Sequence, residues 1–269
     1  MAAPLWERWD EVAPRLARGT LLAGFDYDGT LVGIRPSPEE VRTDEATRQA
    51  LAELAAIPGT AVAVVSGRPV AQLRALLPAA ALWLVGLHGL ELAAPHGEVL
   101  PTRDLDAAAA MLAPLLVVAE AIAARHPGVR VEDKGATLVL HTRQASRADA
   151  AAAAAAFRSA VAGGAGFVLD GFELLAGKEV LEVRPAGEHK GTALTRLHRE
   201  AGGQQVLYVG DDLTDEDAFG TLGAGAVTVR VVSTYQSEPA VAGTRAAYTL
   251  ADPAEVGELL QRLIALRRH

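Results

Sequence analysis

Four acids crowd into the six positions of Asp211-Asp212-Leu213-Thr214-Asp215-Glu216, and two more, Asp26 and Asp28, flank a single tyrosine near the start of this 269-residue chain. Close carboxylates resist joint ionisation unless a cation or a shared proton compensates. An oxygen-rich cluster of this kind suits a hard cation, Mg²⁺ above all. Of two carboxylates two residues apart at a strand end, one could attack phosphorus while the other protonates the leaving oxygen and then activates water. Plainer readings stand beside these. Asp28-Gly29 is also favourable turn chemistry, and an acidic run suits a helix start, with Thr214 as its cap. Two further residues join the set. Ser66 can offer a hydroxyl and nearby amides to a phosphoryl oxygen or cap a following helix, and Lys190 opens a helix whose dipole would also favour an anion.

The elements that must position these residues alternate. Residues 21–25 and 60–65 are short apolar runs, closed by Asp26 and Ser66, and 82–85 is a third. Periodic stretches lie between them, 44–57 and a helix from Pro69 through 77. After a different middle section the pattern returns, with a helix from Lys190, strands over 205–209 and 226–229, and a last helix capped by Asp252-Pro253. Buried strands alternating with amphipathic helices imply a parallel sheet covered on both faces, with ligands at the carboxyl ends of its strands. Asp26, Ser66 and Asp211 all stand just past such ends. The middle section reads as helix 105–125, strands 129–132 and 137–141, and a helix to 161 opened by Ser146 with Asp149. Strands over 167–170, 173–175 and 179–183 follow. The expected architecture is α/β, a Rossmann-like core (residues 1–101 and 186–269) interrupted by an inserted α+β domain (residues 102–185).

The bulk numbers narrow the function classes. A net charge of −8 disfavours nucleic acid as a partner, and the absence of cysteine excludes thiolate chemistry. Glu7, Asp10 and Glu11 interrupt any signal-like apolar stretch. The longest apolar window, 107–119, holds Pro114 and is bracketed by Asp106 and Glu120. A cytoplasmic monomer without membrane contact is the expectation.

Asp26-Tyr27-Asp28-Gly29-Thr30-Leu31, Ser66-Gly67-Arg68, Lys190-Gly191 and Gly210-Asp211-Asp212 resemble, in order, the four motifs of the haloacid dehalogenase superfamily. The resemblance implies that Asp26 is a nucleophile and Asp28 a general acid/base. Ser66 and Lys190 would hold the phosphoryl group, and Mg²⁺ would sit on Asp26, the backbone carbonyl of Asp28 and Asp211. Asp215 and Asp212 would support the metal.

Substrate choice falls to the inserted domain. Glu132 with Lys134, His141, and the stretch from Lys178 through Glu182 to Arg184 place carboxylates beside cations, a pairing that suits sugar hydroxyls as well as ordinary exposed salt bridges. Gly86-Leu87-His88-Gly89-Leu90-Glu91, Glu132-Asp133-Lys134, Glu182-Val183-Arg184-Pro185 and the acidic motif are similar to trehalose-6-phosphate phosphatases. That resemblance implies disaccharide contacts from Glu132, Lys134, Lys178 and Glu182, with Arg68 and His88 near the reacting centre. Leu87 departs from the small or polar residue expected between Gly86 and His88. The expected function is Mg²⁺-dependent hydrolysis of trehalose 6-phosphate. Another glycosyl phosphate, or a silent sugar-phosphate sensor, are the alternatives.

Overall fold

The computed structural model describes residues 2–34, 41–78, 81–164, 166, 169–177, 179–232 and 243–268. They divide into two compact units, Met1–Thr102 with Glu188–His269, and Arg103–Gly187.

The first unit runs β1 (Ala3–Pro4), α1 (Trp9–Ala17), β2 (Leu21–Asp26), α2 (Glu45–Ala55), β3 (Thr60–Val65), α3 (Val70–Leu76), β4 (Trp83–Gly86), β5 (Glu91–Ala93) and β6 (Val99–Pro101). The second supplies α4 (Leu105–Ala123), β7 (Arg130–Asp133), β8 (Leu138–His141), α5 (Arg147–Ser159), β9 (Phe172–Gly177) and β10 (Val180–Pro185). The chain then returns to the first with α6 (Lys190–Ala201), β11 (Gln205–Gly210), α7 (Leu213–Leu222), β12 (Val227–Val231), β13 (Tyr248–Leu250) and α8 (Pro253–Arg267).

In the first unit the described strands form one sheet in the order β1-β13-β12-β11-β2-β3-β4-β5-β6. It is parallel from β1 to β4, with β5 and β6 added antiparallel at one edge. Every residue of β2 is buried, as a strand covered on both faces must be. Alternate residues feed two cores. Leu21, Ala23 and Phe25 pack with Leu51 and Leu54 of α2 and with Leu259, Leu260 and Leu263 of α8. Leu22 and Tyr208 pack with Leu194 and Leu197 of α6 and Phe219 of α7. The strand order reverses direction around β2, so the carboxyl ends of β11, β2 and β3 lie side by side at the crevice where such sheets bind ligands.

The second unit is a four-stranded antiparallel sheet, β7-β8-β10-β9, backed by helices. Cross-strand register sorts its side chains by face. Val131, Leu140 and Leu181 align across three strands and join Leu112, Leu115 and Phe157 in an apolar core. The neighbouring row, Glu132, Val139 and Glu182, points the other way. By length and composition alone α4 could cross a membrane. Leu112, Leu115, Ala119 and Ile122 bury one side of it in this core instead.

Three local expectations change. Pro69 caps α3 from outside the helix, which begins at Val70. Asp212, not Thr214, caps α7, and the Thr214 hydroxyl is buried without a hydrogen-bond partner. Of the strand expected over 167–170, residues 167 and 168 lie outside the described set. Leu169 and Asp170 precede a turn at Gly171, whose φ of +77° ends extended pairing before β9 begins.

Phe157 is fully buried and anchors the second core. Phe157→Ala should cost about 3–5 kcal/mol; denaturant unfolding monitored by circular dichroism checks this.

Candidate active site

Asp26 is the last residue of β2, Ser66 follows β3, and Asp211 follows β11. Adjacent parallel strands thus deliver all three to one rim. Lys190, the first residue of α6, reaches the same place. Its ammonium donates to Asp26 Oδ1 at 2.7 Å and to Asp215 Oδ1 at 2.8 Å. All four charged groups are almost completely buried, from 0% exposed at Asp215 to 4% at Asp26.

The four acids of the second motif have separate surroundings. Asp215 is saturated: Oδ1 also accepts from the Tyr208 hydroxyl at 2.6 Å, and Oδ2 accepts from the backbone amides of Asp211 and Asp212 at 3.0 and 2.9 Å. Asp212 caps the start of α7, accepting from the Leu213 amide. Glu216 faces Arg230 at 2.7 Å and also accepts from the Thr244 hydroxyl and the Arg245 amide. Asp211 stays in the cluster, with the Thr30 hydroxyl donating to it at 3.2 Å. Carboxylate oxygens of Asp26, Asp211 and Asp215 lie within 4.8 Å of one another.

Two glycines make that approach possible. Gly29 has φ +95°, and a Cβ there would fall 2.2 Å from Asp211 Oδ2; a Cβ on Gly210 would fall 2.3 Å from Asp215 Cγ. A side chain at either position would push a carboxylate out of the cluster.

Three carboxylates against one ammonium leave excess negative charge in a dry site. Burial pushes the Asp26 carboxyl from 3.8 up to about 8; Lys190 pulls it down and Asp215 pushes it further up. Burial, with Asp26 and Asp215, raises Asp211 well above the usual range. Burial would lower Lys190, but the attraction of Asp215 and Asp26 outweighs it and the ammonium is held charged. The oxygens of Asp215 already serve four donors, and with those of Asp26 and Asp211 they make an oxygen-only donor set. A hard divalent ion fits this donor set and would cancel the excess charge.

The loop after β3 completes the rim. The Ser66 hydroxyl accepts from the Arg68 amide at 3.1 Å. Arg68 forms a two-bonded fork with Asp28 at 2.7 Å for each bond. His88 stands over Gly67, where a Cβ would meet its Nε2 at 2.4 Å.

In the second unit, His141 Nε2 lies 2.9 Å from Glu132 Oε2, and Lys134 Nζ lies 4.0 Å from the same oxygen. The His141 hydrogen bond holds the Glu132 carboxyl below its usual range against the opposing effect of burial. Arg184 pairs with Glu173 at 2.7 Å on the face that carries Glu182. Lys178 lies outside the described residues. Sequence reasoning missed Tyr208, which in an apolar strand reads as core. It also missed His189, whose ring caps α6 in a place where serine, threonine or aspartate is the usual signal.

The family model for trehalose-phosphatase matches residues 24–254. The chain belongs to the trehalose-phosphatase family. It is 33% identical over 245 residues to the trehalose-phosphate phosphatase of Mycobacterium avium (strain 104), covering 89% of this chain and 61% of that protein. The chain therefore spans about 60% of the length of the curated relatives it matches. An Aspergillus fumigatus trehalose-6-phosphate phosphatase structure aligns with 98% of this chain and 99% of its own, at TM-score 0.68 and 27% identity. The C-terminal domain of a Candida albicans trehalose-6-phosphate phosphatase shares the fold at TM-score 0.82, with 99% of both chains covered and 23% identity. The family implies a divalent metal, and the cluster of Asp26, Asp211 and Asp215 fits one.

A carboxyl with a folded-state pKa near 8 keeps a proton that the unfolded chain releases near 3.8, so metal-free stability should fall as pH rises between those values. A divalent ion replaces those protons. The rise in Tm on adding MgCl₂ should accordingly be larger at pH 8 than at pH 5, which thermal denaturation at the two pH values measures.

Proposed function

We propose that this chain is a Mg²⁺-dependent phosphatase that hydrolyses trehalose 6-phosphate through a phosphoryl group carried on Asp26. The observation that carries the reading is Lys190 bridging Asp26 and Asp215 beside Asp211, at adjacent strand ends of a trehalose-phosphatase family fold.

Asp26 attacks phosphorus: its oxygen forms a bond to phosphorus as the bond to the sugar oxygen breaks. A protonated Asp28, released from its fork with Arg68, gives its proton to the departing sugar oxygen. Water then attacks the phosphoryl group, its proton passes to Asp28, and the bond from Asp26 to phosphorus breaks to release phosphate. Lys190 holds Asp26 in place, and its ammonium with the Ser66 hydroxyl offsets charge on the phosphoryl oxygens. Asp26, Asp211 and the backbone carbonyl of Asp28 would hold Mg²⁺, backed by Asp215 and Asp212. The ion would supply the positive charge that Lys190 alone leaves short. Within the second unit, Glu132, Lys134 and Glu182, with Lys178, supply groups for sugar hydroxyls, and Arg68 and His88 border the reacting centre.

The direct test is phosphate release with MgCl₂ from trehalose 6-phosphate, glucose 6-phosphate, glucosylglycerol phosphate and an aryl phosphate. Preference for trehalose 6-phosphate, abolished by EDTA, is the expected outcome. Preference for another glycosyl phosphate would move the substrate and keep the chemistry. Asp26→Asn should lower kcat by at least about 10³-fold while the far-ultraviolet spectrum stays native. Glu182→Ala should lower kcat/KM for trehalose 6-phosphate by about 10- to 100-fold and spare the aryl phosphate. Equal losses on both would make Glu182 a structural residue.

A further inference from the structure

The hairpin from Gly86 to Glu91 carries a motif of which the proposed chemistry uses only His88. Leu87 and His88 take φ of +48° and +57°, a region unfavourable for residues with side chains. Strain of this kind persists only where the surroundings hold it, and here the loop after β3 does so. The Leu87 amide donates to the Arg68 carbonyl at 3.1 Å, and the His88 amide to the Ser66 carbonyl at 3.0 Å. In return the Ser66 amide donates to the Val85 carbonyl at 2.9 Å.

These bonds hold the front of the loop. Its far end is Val70, the first residue of α3, whose amide has no partner within the helix. Pro69, just before it, has no side-chain acceptor to offer. Glu91 supplies one from β5: its Oε2 accepts from the Val70 amide at 2.7 Å. Register makes the reach possible. Gly86 and Glu91 are antiparallel partners on β4 and β5, so side chains at the two positions would share a face. A Cβ on Gly86 would fall 2.7 Å from both Glu91 Oε2 and the Val70 nitrogen, so glycine opens the path. Val70 is fully buried, and an unpaired amide there would be costly.

Ser66 opens this loop and is itself buried. Its hydroxyl accepts from the Arg68 amide at 3.1 Å, which leaves the hydroxyl's own hydrogen to donate elsewhere. The hydroxyl therefore follows the backbone of the loop, and the loop follows its two anchors. We infer that Glu91 is a positioning residue: by tying down Val70 it keeps the 66–70 loop in the shape that presents the Ser66 hydroxyl to the phosphoryl oxygens. The inference rests on the reading of Ser66 as a phosphoryl ligand, and its test separates the two.

The phosphoryl group is common to every ester, so losing the Ser66 contact should cost the same whatever the leaving group. Ser66→Ala should lower kcat/KM by about 10- to 100-fold on trehalose 6-phosphate and on p-nitrophenyl phosphate alike, and weaken inhibition by inorganic phosphate. Glu91→Ala should lower kcat/KM by about tenfold on both esters. Added to Ser66→Ala, it should cost less than about twofold further. Glu91→Gln keeps an oxygen acceptor without the charge and should stay within about threefold of wild type. Glu91→Asp, one methylene short of the amide, should fall between wild type and Glu91→Ala; it carries the same comparison if the alanine variant does not fold. A lowered Tm with kcat/KM unchanged, or a loss that multiplies in full with that of Ser66→Ala, would make Glu91 a helix cap alone. Either result would overturn the inference and leave Ser66 in its role. A glutamine variant as impaired as the alanine one would also overturn it, because the charge and not the accepted bond would then matter. A Ser66→Ala enzyme with no loss on either ester would overturn both.

Discussion

The structure turns on an imbalance of buried charge. Asp26, Asp211 and Asp215 converge with Lys190 where water is excluded, and one ammonium cannot offset three carboxylates. Such a cluster is unfavourable by itself, since desolvation and mutual repulsion both penalise ionisation. The surrounding fold is what holds it together. Parallel pairing of β11, β2 and β3 brings the strand ends side by side, and Gly29 and Gly210 leave room for carboxylates where a Cβ would stand. Four donors fix Asp215, which in turn fixes Lys190. A divalent cation on these carboxylates would offset the excess charge, and the proposed reaction uses the same arrangement to present Asp26 to the phosphoryl group.

The two units distribute their charge differently. The first unit concentrates charge at one rim. The second spreads modest polar groups across one face of a small sheet, with Glu132, Val139 and Glu182 in one row and the apolar core behind it. Register enforces this division, because a slip of one residue on β10 would turn Glu182 inward and Leu181 outward. His141 and Lys134 on Glu132 Oε2 hold that carboxylate ionised, which suits an acceptor for hydroxyl protons.

Much of this was legible in the sequence, for definite reasons. Residues 61–65 form an uninterrupted apolar run between turn signals, and β3 occupies them together with Thr60. Asp252-Pro253 cap α8 as their residue types dictate. The short strands β5, β6 and β13 went unread, because three residues are too few to show a period. Tyr208 was hidden because its apolar ring belongs to the core while its hydroxyl serves Asp215. Asp212 takes the cap expected of Thr214 because several acceptors in a row compete for one helix start, and only geometry decides between them. The fork between Arg68 and Asp28 joins residues forty positions apart and left no local signal.

The proposed chemistry turns on where the phosphoryl group goes. Rapid acid quench of the enzyme turning over trehalose 6-phosphate with MgCl₂, followed by peptide mass spectrometry, reads this out. The expected result is a transient phosphoryl group on the peptide containing Asp26, absent from Asp26→Asn and absent with EDTA. Steady turnover with no modified Asp26 peptide, together with retained activity in Asp26→Asn, would contradict it.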